Sequence, residues 1–303
     1  MLFSQLVAGP IVRFRQIEAD LVGLGNQDRH RWLARGVALF CIGLVEKVLV
    51  ADSLAAFVDP ALASYASLST VGAWLAMLGY TFQLYFDFSG YSTMAVGLGY
   101  LFGLRIPQNF NSPYKALDPS DFWRRWHISL SSVLRDYLYI PLGGNRQGTF
   151  ATYRNLMITM LLGGLWHGAA WTFVAWGGYH GALLCGYKLG ERYWNAAPAI
   201  GRRVGMFLLV VVGWVLFRST TFSMALHLIA TMFSWVPGEP PPNATLALPL
   251  LLIAAWWAMI GRNPFEIDLE PRLRTRLALA TAFGAAVALI VSSRPSPFLY
   301  FQF

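Results

Sequence analysis

The sequence predicts an all-α integral membrane protein with several transmembrane helices, and its composition and apolar pattern are the two observations behind that prediction. Of 303 residues, 56% are hydrophobic and 13% are charged, and the mean hydropathy is +0.48. Average soluble domains carry about twice that charged fraction. The apolar runs are continuous rather than alternating, which favours membrane helices over the strands of a barrel.

Positive charge lies between the apolar runs. The net charge is +8 and the isoelectric point is near 9.7, but no basic face of a soluble fold is visible, so we expect no nucleic-acid partner. Short clusters of Arg between membrane helices are typical of cytoplasmic loops and of contacts with lipid head groups, so membrane lipid is the expected partner. The clusters are Arg29, Arg31 and Arg35; Arg124 and Arg125; Arg202 and Arg203; Arg272, Arg274 and Arg276.

The first apolar runs are long enough to cross a bilayer, which takes about 20 residues per helix. Residues 36–51 form one run, interrupted only by the adjacent opposite charges of Glu46 and Lys47. Residues 60–104 contain a single charged residue, Asp87, and leave room for two crossings. We expect the turn between those crossings at Phe86–Tyr91, with Asp87 capping a helix there.

An amphipathic helix is predicted next, over residues 119–140. Its start signal is strong, because Asp118 suits the N-cap, Pro119 the first turn and Asp121 the third helical position. The helix is too charged to cross lipid by itself, so we expect it to lie at the interface or to re-enter it. The glycine pair within Leu142–Asn145 should terminate it.

The following segment, residues 155–187, contains no Asp, Glu, Lys or Arg. It is too long for one straight crossing and holds seven glycines, some of which bracket His167. A broken helix in a membrane is tolerated only where protein or a water-filled cavity surrounds it, so His167 is expected to face a cavity.

Further helices are expected at residues 204–217, 221–235, 246–260 and 277–291, with a loop at Pro240–Pro242. Residues 1–303 are interpreted as one membrane domain without a soluble domain.

Two Trp-His pairs, Trp126-His127 and Trp166-His167, lie forty residues apart in these apolar surroundings. An ionisable side chain at membrane depth is costly and is therefore a candidate functional residue. Histidine is also well suited to proton transfer near neutral pH. The alternative for His167 is a neutral histidine that bonds a carbonyl of an adjacent helix, and for His127 a polar tip at the interface.

The segments around the two histidines, FWRRWHISLS at Phe122–Ser131 and LLGGLWHGAA at Leu161–Ala170, resemble the signature region of the membrane-bound O-acyltransferases. The resemblance is closest to the bacterial branch that contains alginate O-acetyltransferase and the D-alanyl-transfer protein of teichoic acids. It implies a helical bundle with interfacial or re-entrant helices around a tunnel. It also implies that His167 is catalytic and that His127 lines the same tunnel.

The same resemblance bears on the extent of the fold. The segment Gln5–Arg13 is similar to one that follows several transmembrane helices in bacterial members, and Ser296–Phe303 is similar to the family's carboxyl terminus. The chain is therefore expected to cover the carboxyl-terminal two-thirds of the family fold, without the amino-terminal helices that would close part of the tunnel.

Five further residues are candidates for the tunnel or substrate lining: Asp87, Trp126, Ser129, Trp166 and His180. Segments similar to Phe86–Tyr91 occur in bacterial members, which suggests a tunnel role for Asp87. The resemblance to the family implies no role for His180, so a structural role is favoured for it. Cys41 and Cys185 are interpreted as small buried residues, and no Cys-His spacing suggests a metal site.

Acyl transfer from a thioester to a hydroxyl needs a base and a group that holds the oxyanion. No Gly-x-Ser-x-Gly elbow argues for a covalent serine, so direct attack with His167 as base is the simplest scheme. We expect no bound cofactor and an acyl donor such as acetyl-CoA or another acyl thioester. The resemblance implies a multi-pass protein of the bacterial inner membrane that moves acetyl groups toward an exported, alginate-like polysaccharide. An extracytoplasmic acetyltransferase or polysaccharide-export protein is the implied partner.

Two alternatives remain at this point. D-Alanyl transfer to teichoic acid would use the same fold. A proton-coupled transporter is a different class, which should show carboxylates in several spans and two similar halves. The sequence has one deep acid candidate, Asp87, and no internal repeat, which disfavours the transporter.

Overall fold

A computed structural model of the protein describes residues 9–23, 28–267 and 273–292, and within these ranges the chain is helical with no strand. Arg272, residues 5–8 of Gln5–Arg13 and all of Ser296–Phe303 lie outside the described residues. The helices are α1 (Phe14–Val22), α2 (Arg29–Leu44), α3 (Ser53–Ala63), α4 (Thr70–Leu101), α5 (Pro119–Arg125), α6 (Ile128–Leu134), α7 (Thr149–His167), α8 (Trp171–Ala196), α9 (Ala199–Arg218), α10 (Phe222–Phe233), α11 (Ala244–Met259) and α12 (Leu273–Ser292). Wider π-helical turns extend α2 over Val45–Asp52 and α6 over Arg135–Tyr139.

Helix α4 is the centre of the bundle and packs against α2, α3, α9, α10 and α11. It runs for 32 residues without interruption, so the turn predicted at Phe86–Tyr91 is wrong. The polar residues that suggested a turn bond to the neighbouring helix instead. Asp87 is buried and pairs with Lys47 at 2.5 Å, and the Ser89 hydroxyl donates to Glu46 at 3.2 Å.

Glycines allow α2 and α4 to touch along their backbones. A Cβ on Gly43 would lie 2.5 Å from the carbonyl oxygen of Gly90, and one on Gly90 would lie 2.6 Å from that of Gly43. The π-helical extension of α2 follows this contact and carries Glu46 and Lys47 into the interface. Gly90, which suggested a turn in the sequence, therefore serves helix packing.

The single amphipathic helix predicted over residues 119–140 is also wrong, because the chain breaks between α5 and α6. The start of α5 is as predicted, with the Asp118 carboxylate accepting from the Asp121 N–H at 2.7 Å. The break comes at His127, whose φ is +43°. The predicted end is confirmed at Gly143 and Gly144, which have φ values of +107° and +56°.

The broken helix predicted for residues 155–187 is confirmed as the hairpin of α7 and α8. Helix α7 ends at His167, and α8 begins at Trp171. The two helices pack closely because a Cβ on Gly164 would lie 2.2 Å from the Phe173 carbonyl oxygen. The hairpin therefore places His167 at its tip.

The helices predicted in the last third of the chain are confirmed as α9, α10, α11 and α12, and Pro240–Pro242 lies in the non-helical connection before α11. Two described helices, α9 and α12, are long and apolar enough to span a bilayer. An aromatic core lies among α4, α5, α8 and α9. Its largest fully buried members are Tyr80, Phe86, Phe88, Tyr114, Phe122, Trp176 and Trp214.

The hairpin packing makes a prediction about Gly177, where a Cβ would lie 2.2 Å from the Met160 carbonyl oxygen. Gly177→Ala should destabilise the protein by about 1–3 kcal/mol, because neither backbone can withdraw without opening the hairpin. The matched control is Gly178→Ala, where the nearest atom is a Leu161 side-chain carbon at 3.4 Å. That variant should be neutral or more stable, because alanine favours the helix. Thermal unfolding in detergent measures both, and equal melting temperatures would contradict the packing argument.

Candidate active site

The fold brings the two Trp-His pairs to one place. The ring of Trp166 contacts both imidazoles, with centroid distances of 6.1 Å to His127 and 5.1 Å to His167. His127 is 3% exposed and His167 is half-buried. Both histidines lie where a helix is interrupted, one between α5 and α6 and the other at the end of α7. Helix breaks separated by forty residues therefore build one site.

Asn109, in the connector before α5, holds His127 in place. Its side-chain oxygen is 3.1 Å from the backbone nitrogen of Ser129, 2.8 Å from the Ser129 hydroxyl and 3.2 Å from Nδ1 of His127. A backbone N–H can only donate, so the atom facing it must be the amide oxygen. Nδ1 of His127 then carries the proton that it donates, and Nε2 is the unprotonated nitrogen.

The same connector replaces the helical hydrogen bonds that are lost at the break. The Ile128 N–H donates to the carbonyl oxygen of Asn109 at 2.9 Å, and the Ser129 N–H donates to its side chain. Sequence analysis missed Asn109, because its burial and its contacts with His127 and Ser129 are set by the fold and left no local signal in the connector. It explains why a sequence with a helical pattern turns at His127.

His167 lies against aromatic rings on three helices. Its ring is perpendicular to that of Trp176 at a centroid distance of 5.1 Å, and it contacts Phe217 at 5.1 Å. A cavity of about 10 Å³ lies beside it, roughly enough for one water molecule. The cavity is lined by Leu84, Phe88, Trp126, His167, Trp176, Trp214 and Phe217. Among these seven side chains, the polar atoms are the imidazole nitrogens of His167 and the indole nitrogens of the three tryptophans.

Trp176 is the second residue that sequence analysis missed. Its indole is fully buried, and its N–H has no hydrogen-bond partner among the described residues. A buried donor without an acceptor is costly and needs an explanation. Because Trp176 lines the cavity beside His167, its N–H is a candidate to bind an oxygen atom there. One tryptophan in an uncharged segment gave no sequence signal for this role.

His180 lies one aromatic layer away from His167, beyond Trp176. It is 1% exposed, and neither ring nitrogen has a partner among the described residues. Its ring stacks on Phe122 at 5.9 Å and contacts Trp176 at 4.9 Å. His180 is not among the residues that line the cavity, and the structural role favoured for it stays a prediction.

The remaining candidates fall into two groups. Trp126 is buried and lines the cavity, and Ser129 is buried against Asn109. Trp166 is half-exposed and bridges the two histidines. Asp87 does not line the cavity, but its neighbour Phe88 contacts His127 at a centroid distance of 4.7 Å.

Among the described residues, no group of three or more His, Cys, Asp or Glu side chains could hold a metal ion. The polar groups of the site are the two imidazoles, the indoles and the Asn109–Ser129 pair. These groups can accept a proton and donate hydrogen bonds within an apolar surrounding, which suits proton transfer coupled to acyl transfer.

Comparison with known proteins decides the family. Residues 1–229, which contain both histidine motifs, match the family model of the membrane-bound O-acyltransferases. The chain belongs to that family. It is a membrane protein and an O-acyltransferase.

Relatives that are named for different acceptors are similar to this chain in sequence. The probable alginate O-acetylase AlgI of Azotobacter vinelandii is 43% identical over the whole chain, which covers 68% of that protein. The peptidoglycan O-acetyltransferase of Helicobacter pylori is 45% identical over 76% of the chain, covering 45% of the relative. The teichoic acid D-alanyltransferase of Bacillus subtilis is more distant, at 31% identity over 64% of the chain and 51% of its own length.

The role of Asn109 in this acyltransferase leads to a prediction. Asn109→Leu removes the acceptor for Ser129 and His127 and should cost about 1–3 kcal/mol, since buried donors are left unsatisfied. Asn109→Asp keeps an acceptor oxygen at the same place and should retain most of the stability. Thermal unfolding in detergent compares the two variants. If the two variants lower the melting temperature equally, the acceptor oxygen of residue 109 does not stabilise the helix break at His127.

Proposed function

We propose that this acyltransferase moves an acetyl group from a thioester donor toward an exported polysaccharide, with His167 as the general base. The observation that carries the proposal is the position of His167, half-buried at a helix break, beside a cavity and next to His127. Similarity to alginate O-acetylases over the whole chain supports acetyl as the group and an alginate-like polymer as the final acceptor.

The reaction is a direct transfer. The acceptor hydroxyl gives its proton to His167 as its oxygen bonds to the acyl carbon. The bond between that carbon and the thioester sulfur then breaks, and the leaving thiolate takes the proton from His167 to become the thiol, which restores the neutral imidazole. Trp176 would donate its indole N–H to the oxyanion that develops on the carbonyl oxygen, which a fixed buried donor stabilises more strongly than water does.

His127 is the proposed partner of His167. Its proton stays on Nδ1, whose hydrogen bond Asn109 accepts, and Nε2 is the nitrogen proposed to accept a hydrogen bond from the acceptor or from a bound water. The ring of Trp166, at a centroid distance of 6.1 Å, links it to the same site. Its role is to orient the acceptor rather than to form a covalent intermediate.

The donor is proposed to be acetyl-CoA or another acyl thioester that binds transiently. Arg124 is a candidate for its anionic part because its side chain is 68% exposed and lies 3.8 Å from the Asp121 carboxylate. Arg125 and Arg135 form shorter ion pairs, at 2.9 Å with Asp121 and 2.7 Å with Asp136. Anionic lipid head groups compete for the same charge.

A multi-pass arrangement in the bacterial inner membrane, with a tunnel that reaches His167 from both faces, fits a cytosolic thioester and an exported polymer. The spanning length of α9 and α12 and the helix break at His167 support it. The final acceptor is proposed to receive its acetyl group through an extracytoplasmic acetyltransferase or export protein.

D-Alanyl transfer to teichoic acid is the second candidate function, favoured by the Bacillus subtilis relative. The family assignment displaces the transporter alternative.

The assignment of His167 predicts that His167→Ala lowers acetyl transfer by about 10²–10⁴-fold, because one histidine base contributes that much. His127→Ala should cause a smaller loss, and His180→Ala a still smaller one. The matched control is His227→Ala, since His227 is exposed on α10. Polymer acetyl content at equal membrane expression is the measurement. Normal acetylation in the His167 variant would end the assignment.

The role of Trp176 predicts that Trp176→Phe lowers kcat by about 10²–10³-fold with little change in KM, because the lost hydrogen bond forms mainly in the transition state. Trp123→Phe is the matched control. Trp123 also has a buried indole N–H without a partner among the described residues, but it does not line the cavity. Equal losses of kcat in the two variants would mean that Trp176 acts through packing alone.

A further inference from the structure

A groove of about 1100 Å³ lies between α2 and α12, away from the histidine site. Its volume is at the upper end of the range for sites that bind small molecules. The lining includes Arg31 and Arg35 in the first half of α2 and Arg276 in the first turn of α12. Apolar side chains follow further along both helices, among them Val37, Phe40 and Phe283. Each wall of the groove is thus cationic at its amino-terminal end and apolar beyond it.

The arginines of this groove are available for a ligand. None of the three forms an ion pair with a carboxylate in the described part of the chain. The guanidinium of Arg35 lies over the ring of Tyr100, 5.3 Å from the ring centroid, which is a cation–π contact. Among the described lining residues one is acidic, Asp28, which accepts from the Arg31 backbone N–H at 3.3 Å and caps α2. The described lining residues therefore carry a net positive charge.

Helix α12 is held weakly by the rest of the protein. Ala286 is its only buried residue, and its main contacts are with α2 and the π-helical extension of α2. Leu277 and Phe283 remain exposed. An apolar filling of the groove would cover such side chains and attach α12 to the bundle.

We propose that this groove binds one anionic phospholipid, whose head-group phosphate pairs with Arg31, Arg35 and Arg276 and whose acyl chain lies along Val37, Phe40 and Phe283. Arginine suits phosphate because its planar fork makes paired hydrogen bonds. The combination of a cationic end and an apolar body matches an amphiphile with a negative head. The lipid links α2 to α12.

The test uses the 303-residue protein in nanodiscs made of equal parts phosphatidylcholine and phosphatidylglycerol. Native mass spectrometry measures which lipid stays bound. We expect phosphatidylglycerol to be enriched, and each of Arg31→Gln, Arg35→Gln and Arg276→Gln to weaken its retention about fivefold. Arg29→Gln and Arg274→Gln are matched controls, because both residues are exposed on the same helices but do not line the groove. Equal retention of the two lipids, or equal effects of all five variants, would overturn the proposal.

A second pair of variants tests the apolar part of the groove. Ala280 lines it, whereas the exposed Ala278 of the same helix does not. Ala280→Trp should expel the acyl chain and lower phosphatidylglycerol retention, and Ala278→Trp should not. Glycerol phosphate, which has the phosphate without the chains, and coenzyme A should both fail to displace the lipid. Displacement by either would mean that the groove recognises a soluble phosphate compound and would overturn the lipid assignment.

Discussion

The side-chain oxygen of Asn109 accepts hydrogen bonds at the point where the helix before His127 breaks, and the arrangement of the histidine site depends on that interaction. A backbone N–H in an apolar surrounding needs a partner, so a break persists only where another group supplies one. Asn109 supplies it for α6 and at the same time fixes the proton of His127. The second break, after His167, is possible because Gly164 and Gly177 let α7 and α8 approach closely enough to pack as a hairpin.

The buried polar groups divide into two sets with different consequences. Lys47 pairs with Asp87 and Asp52, and Glu46 accepts from Ser89 and Thr93, so the buried polar groups between α2 and α4 have hydrogen-bond partners and stabilise the frame. Near the histidines, by contrast, the indole N–H of Trp176 has no acceptor among the described residues. Matched groups make a bundle rigid, whereas an unmatched donor beside a cavity is suited to an atom that arrives with the substrate.

The parts of the fold that depend on local chemistry could be predicted from the sequence. Residues close in sequence encode three of these features: the N-cap of α5 at Asp118, the end of the helical segment at Gly143 and the helix break near His167. The errors arose where a distant residue supplies the partner. Asp87 suggested a turn because its partner, Lys47, lies on another helix, and the break at His127 was missed because its acceptor lies in the connector. The histidines were found through their motifs, but Trp176 and Asn109 required their neighbours in space.

The central claim is that His127 and His167 act as one unit in acyl transfer. A double-mutant cycle on acetyl-transfer rates, with His127→Ala, His167→Ala and the double variant at equal expression, tests it most directly. If the two imidazoles serve the same step, the double variant should be hardly slower than His167→Ala alone, because the first loss already removes what the second residue assists. If instead the loss of rate in the double variant equals the product of the two single losses, the histidines act independently, which would contradict the account.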